Sequence, residues 1–197
     1  MQEPIQLIQQ AKSGNMMAFQ QIVETYSHKT YAIAYRILND KGHAQDCAQE
    51  VFVKLYHKLG SFDQRAKFST WHYSIVVNCA IDMQRKLARH QNSVGEEHLQ
   101  HYLDHETNSP EQQHQNQSLI QSTCNALAKL SPEVRVAFVL KHFEERTIDE
   151  ISQILEVNPN TVKNRIFRGV SRLKELLSSQ INDSVIAVGR QNEGEEI

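Results

Sequence analysis

The chain has 197 residues, 40% of them hydrophobic, and a formal net charge of −2, enough apolar content for one large core or two small ones. Cys47, Cys79 and Cys124 are odd in number, far apart and without C-x-x-C spacing, which excludes a disulfide framework or a zinc ribbon and suits small core residues in a reducing cytosol. No stretch approaches the roughly 18 uninterrupted apolar residues of a membrane span, and MQEPIQLIQQAKSG lacks a signal-peptide core, so a soluble cytoplasmic protein is expected.

Almost every segment reads as helix, because glycine and proline are few and no period-two strand appears. A first helix is expected over Pro4–Ser13, ending near Gly14. A second runs from about Met17 to Leu38 with Phe19, Ile22, Val23, Tyr26, Ile33, Ala34 and Ile37 inward. The third, His43–Leu59, buries Ala44, Cys47, Ala48, Val51 and Leu55, and Gly60 closes it. SFDQRAKFS is then a loop before a fourth helix over Thr70–Arg89. From His90 to Gln117 the chain is rich in Gln, His and Glu and has neither Lys nor Arg, the composition of a flexible acidic linker, with a helical turn near His98–Leu103. Helices over Leu119–Leu130 and Pro132–Glu144 follow, the latter behind a Ser131 cap, and the residues after Ile181 read as a frayed acidic tail. The expected fold is all-α: an N-terminal helical bundle (1–89) and a small C-terminal helix-turn-helix domain (118–181), joined by the linker (90–117) and followed by a disordered tail (182–197). Since the linker and tail hold much of the acid, the two helical units are locally basic.

The stretch TIDEISQILEVNPNTVKNRIFRGVSRLKELL carries the most information. Ile148, Ile151, Ile154 and Leu155 form one apolar stripe at helical spacing. Asn158 then suits an N-cap and Pro159 the first helical position, after which Val162, Ile166, Val170 and Leu173 renew the stripe. The pattern is two helices meeting at a sharp angle. On the second, Asn160, Thr161, Lys163, Asn164, Arg165 and Arg168 crowd the N-terminal half, the end that enters the major groove when such a pair docks on duplex DNA. Asn and Arg can bond base edges there, while Lys and Arg neutralise phosphates.

Two stretches of the N-terminal unit also carry chemistry. Asp46, Gln49, Glu50 and Val53 share the helix face opposite the apolar stripe; such a face suits a partner helix bearing Arg, or is ordinary solvated surface. FDQRAKFSTWHYSIVVNCAIDMQRK mixes Arg65, Lys67, Arg85 and Lys86 with Phe68, Trp71, Tyr73 and Asn78. Cations that track a backbone beside rings that accept unstacked bases favour single-stranded DNA, although Trp71 and Phe68 also suit packing.

Other classes fit less well. A zinc enzyme would have to use His98, His101, His105 and His114, which lie in a segment of disordered composition, and no H-E-x-x-H, G-x-S-x-G or glycine-rich phosphate cradle occurs. No catalytic residue, metal or cofactor is expected. A dimeric helix-turn-helix regulator would need a two-fold interface, and no coiled-coil seam is visible.

The blocks AFQQIVETYSHKTYAIAYRIL, DCAQEVFVKLYHKLGSFD, FSTWHYSIVVNCAIDMQRK and LSPEVRVAFVLKHFEERTIDEISQILEVNPNTVKNRIFRGVSRLKELL resemble regions 2 and 4 of an extracytoplasmic-function (ECF) sigma factor of the sigma-70 family, in the family's order. The resemblance implies a factor, not an enzyme, that binds core RNA polymerase and directs promoter-specific initiation. It implies that Asp46, Gln49, Glu50 and Val53 dock on the clamp helices of the largest polymerase subunit, and that the C-terminal domain meets the flap. The loop Asp63, Gln64, Arg65 and Lys67 would capture a flipped base of the −10 element, with Phe68, Trp71, Tyr73, Asn78, Asp82 and Arg85 beside it. Lys163, Asn164, Arg165, Phe167 and Arg168 match its −35 recognition helix, with Asn160 and Thr161 at the helix start. An anti-sigma factor, often membrane-bound in the family, is the further implied partner, and the chain is expected to be a monomer when free. The sequence departs from the pattern at Trp71-His72-Tyr73-Ser74, where a usual cation is missing, at Asp82, whose carboxylate would repel phosphate unless it accepts from a cytosine amine, and at Glu156, in a turn position often held by Gly.

Overall fold

The computed structural model describes residues 5–93 and 111–192, with side chains placed for 5–89, 120–176 and 178. Every described regular element is helical: α1 (Ile5–Lys12), α2 (Met16–Leu38), α3 (Lys41–Lys58), a 3-10 turn (Leu59–Ser61), α4 (Phe68–Ser93), α5 (Glu111–Ala128), α6 (Pro132–His142), α7 (Ile148–Leu155) and α8 (Pro159–Asn192). The expected all-α architecture is therefore the observed one.

The helix ends are chemically marked. The Asn15 side chain accepts from the N–H groups of Met17 and Ala18 at 3.0 and 3.2 Å, opening α2. Asn39 closes α2 in the left-handed conformation (φ 56°), and Asp40 at once caps α3 by accepting from the His43 N–H at 2.7 Å. At the other end of the chain, Thr147 and Glu150 form a reciprocal capping box at the start of α7. Ser131 holds the cap position of α6 without a capping bond from its hydroxyl, Pro132 being the first helical residue.

Three helices outrun the sequence expectation. The fourth starts two residues earlier than Thr70 and passes Arg89, α5 begins well before Leu119, and α8 runs beyond Ile181 into the expected tail. The physical reason is shared: Gln, Ala, Lys and Arg are good helix formers, no Gly or Pro interrupts 111–131, and no Pro follows Pro159. The expected turn at His98–Leu103 lies outside the described residues.

In the N-terminal unit, α2, α3 and α4 pack around Ile22, Ile33, Ile37, Val51, Leu55, Val76 and Val77. A ring cluster of Tyr26, Phe62, Phe68, Trp71 and His72 seals one end, Tyr26 and Phe62 meeting Phe68 edge-on at 5.4 and 5.5 Å. All three cysteines are buried and free. Lys12 ties α1 to the loop by donating to the Phe62 carbonyl at 2.6 Å.

The C-terminal unit gathers Leu127, Leu130 and Val139 with Val134, Phe138, Phe143 and Leu173. Gly169 lets α8 approach α6 closely, since a Cβ there would lie 3.0 Å from the Phe138 ring and 3.3 Å from Val134 Cγ1. Gly169→Val is accordingly expected to destabilise the protein by about 1–3 kcal/mol through overpacking, read as a lowered melting temperature. A second group from this unit, Cys124, Val136, Leu140, Ile151, Ile154 and Val162, is continuous with the core of the N-terminal helices. The two units thus share apolar surface, which the sequence did not foretell.

Candidate nucleic-acid interface

The α7–turn–α8 pair presents a surface built by its own core. Ile151, Ile154 and Val162 are buried, which fixes the rotation of both helices. The turn between them passes through Glu156 in the left-handed conformation (φ 52°, ψ 42°), a position where a non-glycine residue is uncommon. The Ser152 hydroxyl donates to the Val157 carbonyl across the turn, and the Asn160 N–H donates to Asn158 Oδ1 at 2.8 Å as α8 starts. With the apolar side turned in, Asn160, Lys163, Asn164, Phe167 and Arg168 are exposed, and Thr161 and Arg165 are half-buried. Phe167, at 72% exposure, is a large ring offered to solvent from the middle of this cationic face.

On α4, Trp71, Asn78, Asp82 and Arg85 fall along one stripe at helical spacing, with Asn78, Asp82 and Arg85 exposed and Trp71 half-buried. Asp82 and Arg85 are 3.8 Å apart, so the carboxylate has a cation at hand that tempers its repulsion of phosphate. Asp63, Gln64, Arg65 and Lys67 are exposed in the loop before α4. Gln64 takes a left-handed conformation (φ 62°), while Asp63 accepts from the Arg65 N–H at 3.2 Å and pairs with its guanidinium at 2.9 Å. Phe68 is fully buried in the ring cluster and Tyr73 is 2% exposed, so in this conformation neither ring offers a face to a base.

Asp46, Gln49 and Val53 are exposed on α3 and Glu50 is half-buried. Val53 is 57% and Tyr56 51% exposed, an apolar strip next to the carboxylates. Lys54 Nζ lies 2.7 Å from Glu50 Oε1; the hydrogen bond from Lys54 holds the Glu50 carboxyl below the usual carboxylate range, keeping it ionised.

The structure brings the expected DNA-reading residues of both units together. A cleft of about 670 Å³ is lined by Trp71, Asn78, Asp82 and Arg85 on one side and by Glu156 and Arg165 on the other. Beside it, polar side chains cross between the units. The Glu144 carboxylate, 5% exposed, accepts from the Tyr73 hydroxyl at 3.0 Å and lies 3.7 Å from Lys29 and 3.5 Å from Arg36. Burial, and then the Glu144 charge, push the Tyr73 hydroxyl well above its ordinary range, so it remains a donor. Arg135, buried in α6, donates to the Ile37 carbonyl at the end of α2 and to the carbonyls of Ala128 and Leu130. Lys67 reaches Glu150 at 3.8 Å. Sequence reasoning missed Glu144, Arg135, Lys29 and Arg36, because nothing local marks partners some 70 to 115 positions away.

Among the described residues no group of three His, Cys, Asp or Glu side chains is placed to hold a metal ion, and no helix is long and apolar enough to cross a membrane. His98, His101 and His105 lie outside the described residues, as does the side chain of His114.

Comparison with known proteins places this geometry. The family model for Sigma-70 region 2 matches residues 22–90 and that for Sigma-70, region 4 matches residues 125–173. The chain is 36% identical over 182 residues to the ECF RNA polymerase sigma factor SigW of Bacillus subtilis, covering 89% of this chain and 95% of that one. It is 28% identical to the RNA polymerase sigma-H factor of Pseudomonas aeruginosa over 185 residues (91% and 96% of the two chains). Its fold is similar to that of CnrH in complex with the cytosolic domain of CnrY, with a TM-score of 0.67 at 23% identity, covering 88% of this chain and 96% of the other. The sigma factor RpoE of Bartonella quintana, solved with the anti-sigma factor NepR, aligns with a TM-score of 0.63 at 23% identity over 81% and 96% of the two chains. With both regions matched in order and a relative at 36% identity along nearly its whole length, the chain belongs to the ECF RNA polymerase sigma factors of the sigma-70 family, which direct promoter-specific transcription initiation.

Proposed function

We propose that this chain works by two-point gripping of a promoter in complex with core RNA polymerase. In this reading the first half of α8 reads the −35 duplex, and the loop 63–67 with the α4 stripe holds the melted −10 strand. The observation that carries it is the outward face of α8, where Asn160, Lys163, Asn164, Phe167 and Arg168 are exposed and Arg165 is half-buried beside them, because Val162 and Ile166 turn inward. Asn164 and Arg165 supply base-edge donors, Lys163 and Arg168 phosphate contacts, and Phe167 an apolar surface for a thymine methyl. Trp71 supplies a stacking plane, with Asn78 and Arg85 to bond and neutralise the strand. Asp46, Gln49, Glu50 and Val53 would seat on the clamp helices of the largest polymerase subunit and the C-terminal unit on the flap. The chain acts in the cytoplasm, where the polymerase is, as a monomer when free of partners, with no cofactor. An anti-sigma factor is the proposed regulator; the support is that the sigma factor RpoE of Bartonella quintana was solved with the anti-sigma factor NepR, and that CnrH was solved with the cytosolic domain of CnrY.

Substitution in α8 tests the assignment. Arg165→Ala is expected to lower transcription by holoenzyme by about 5- to 150-fold, the equivalent of about 1–3 kcal/mol, and to relax preference at one −35 base pair. Lys163→Ala is expected to weaken all promoters alike and to flatten the salt dependence. Transcription by the Arg165→Ala factor that keeps the wild-type rate and −35 preference would remove α8 from the reading role.

A further inference from the structure

Cys47 of α3 and Cys79 of α4 are 0% and 1% exposed, and both are free thiols. They meet between the packed helices: the two thiols are hydrogen-bonded to one another, and the Cys79 S–H lies within 3.8 Å of the Cys47 carbonyl as a donor. Two buried cysteines in contact are small core residues and nothing more unless a neighbour activates one of them. Here a cation stands beside the pair. Lys54 Nζ lies 3.8 Å from Cys79 Sγ while also holding Glu50 at 2.7 Å.

The two sulfurs are not equivalent. The hydrogen bond from the Cys47 thiol holds Cys79 below the ordinary thiol range against the opposing effect of burial, and the Lys54 charge acts in the same direction. That same bond, together with burial, pushes the Cys47 thiol up, so it keeps its proton. Burial pushes the third thiol, Cys124, up as well. Access is also one-sided. Cys79 and Lys54 line the cleft of about 670 Å³, which admits a small oxidant, while Cys47 is not part of its wall. An activated thiol thus stands in front, with a second thiol in reach behind it, the order in which a sulfenic acid is made and then resolved.

We propose that Cys79 and Cys47 form a reversible oxidation site for hydroperoxides, with Lys54 as the cation beside the attacking sulfur, and that closing the pair weakens the polymerase-binding face of α3. The Cys79 thiolate attacks the terminal oxygen of the peroxide; an S–O bond forms, the O–O bond breaks, and the leaving oxygen takes up a proton as water or an alcohol. Cys79 has then given two electrons to the peroxide and is a sulfenic acid. The Cys47 sulfur attacks it, forming S–S and breaking S–O, and the departing hydroxide takes the Cys47 proton as water. Two equivalents of a small thiol reverse the link by exchange, supplying the two hydrogens and leaving as their own disulfide, as suits a transient cytosolic bond. Cys47, Glu50 and Lys54 are three and four positions apart on α3 and share one side of it. Closure removes the sulfur partner of Lys54 and draws this row towards α4, shifting Glu50 within the docking face. That consequence rests on the α3 docking proposed above; formation of the link does not.

The full, free chain is treated with hydrogen peroxide, unfolded in urea with a maleimide present, and mapped by mass spectrometry. The reduced chain is expected to be labelled at Cys47, Cys79 and Cys124, and the oxidised chain at Cys124 alone, with Cys47 and Cys79 in one linked peptide that dithiothreitol separates. Cys47→Ala is expected to stop at a Cys79 sulfenic acid, trapped by dimedone, and Cys79→Ser to give neither product. Lys54→Met is expected to slow the link several-fold and Lys54→Arg to restore the rate, each in a chain with the wild-type helical spectrum. The oxidised chain is expected to bind core RNA polymerase about ten-fold more weakly than the reduced one, the factor that goes with losing one hydrogen bond to a charged group, and dithiothreitol is expected to restore binding. Absence of the Cys47–Cys79 link, a rate indifferent to Lys54, or equal polymerase binding by the reduced and oxidised chains overturns the proposal. A reduced chain that does not bind polymerase condemns the α3 reading instead, and in that event absence of the link would still overturn the thiol pair and its presence sustain it.

Discussion

Val53→Asp is expected to abolish co-elution with core RNA polymerase while leaving the melting temperature of the free protein within experimental error. The residue is 57% exposed and contributes little to the fold, so a surface carboxylate there costs little in the free chain. Once the α3 face is covered by a partner the situation reverses. An apolar contact at the centre of an interface gives way to a charge that must be desolvated without a partner of its own. The flanking Asp46 and Glu50 add like-charge repulsion. A buried charge without a partner costs about 2–5 kcal/mol, which corresponds to a loss of roughly 30-fold to several thousand-fold in affinity. Glu50 is poised differently, because it is already ionised and held by Lys54 at 2.7 Å. Glu50→Gln is therefore expected to weaken polymerase binding less than Val53→Asp. Analytical ultracentrifugation of factor with core enzyme measures both effects, and wild-type binding by Val53→Asp would move the docking face away from α3.

The second large effect concerns His72. The structure places this α4 residue fully buried, against Tyr26 of α2 and Phe52 of α3. The Thr30 hydroxyl already donates to the Tyr26 carbonyl at 2.8 Å, so its oxygen accepts from His72 Nε2–H at 3.0 Å and the imidazole is neutral. Burial, and then the Lys29 charge, push its pKa down to about 3. In the unfolded chain it titrates near the ordinary 6.5, so between those values the unfolded state binds a proton that the folded state refuses. The associated stability is fully present above about pH 6.5 and is lost as pH falls towards 3; about 2 kcal/mol of it goes between pH 6.5 and 5. His72→Leu has a similar volume and leaves the Thr30 hydroxyl bonded to Tyr26, so it is expected to fold and to flatten this part of the pH profile. Urea unfolding at pH 7 and pH 5 decides it. Equal losses of stability on acidification in the variant and the wild type would show that His72 is not the group responsible.

The helix-turn-helix was legible because its signals are local. The stripe of Ile148, Ile151 and Ile154, the Asn158–Pro159 start and the cations of α8 all lie within one short stretch, and each is governed by neighbours three or four positions away. The exposed polar face of α3 was legible for the same reason. The extents of α5 and α8 were not, since a Gln-rich composition that looks too polar to fold alone is still a good helix former when its end is anchored by Cys124 and Leu127 or by Val162. Phe68 and Tyr73 show a deeper limit. Aromatic residues next to cations suit both stacking on bases and packing in a core, and only the three-dimensional placement puts Phe68 under Tyr26 and Phe62 and Tyr73 against Glu144. The contact between the two units was invisible altogether. Its polar anchors, Glu144 with Arg36 and Arg135 with Ile37, join residues about a hundred positions apart, and neither shows a periodicity that a single sequence reveals.

The most direct measurement is run-off transcription with purified core polymerase on a library of genomic fragments, with and without the factor. The account predicts RNA from a discrete set of start sites only when the chain is added, each preceded by paired −35 and −10 elements and each weakened by Arg165→Ala. The absence of factor-dependent RNA, or start sites unchanged by adding the factor, would contradict it.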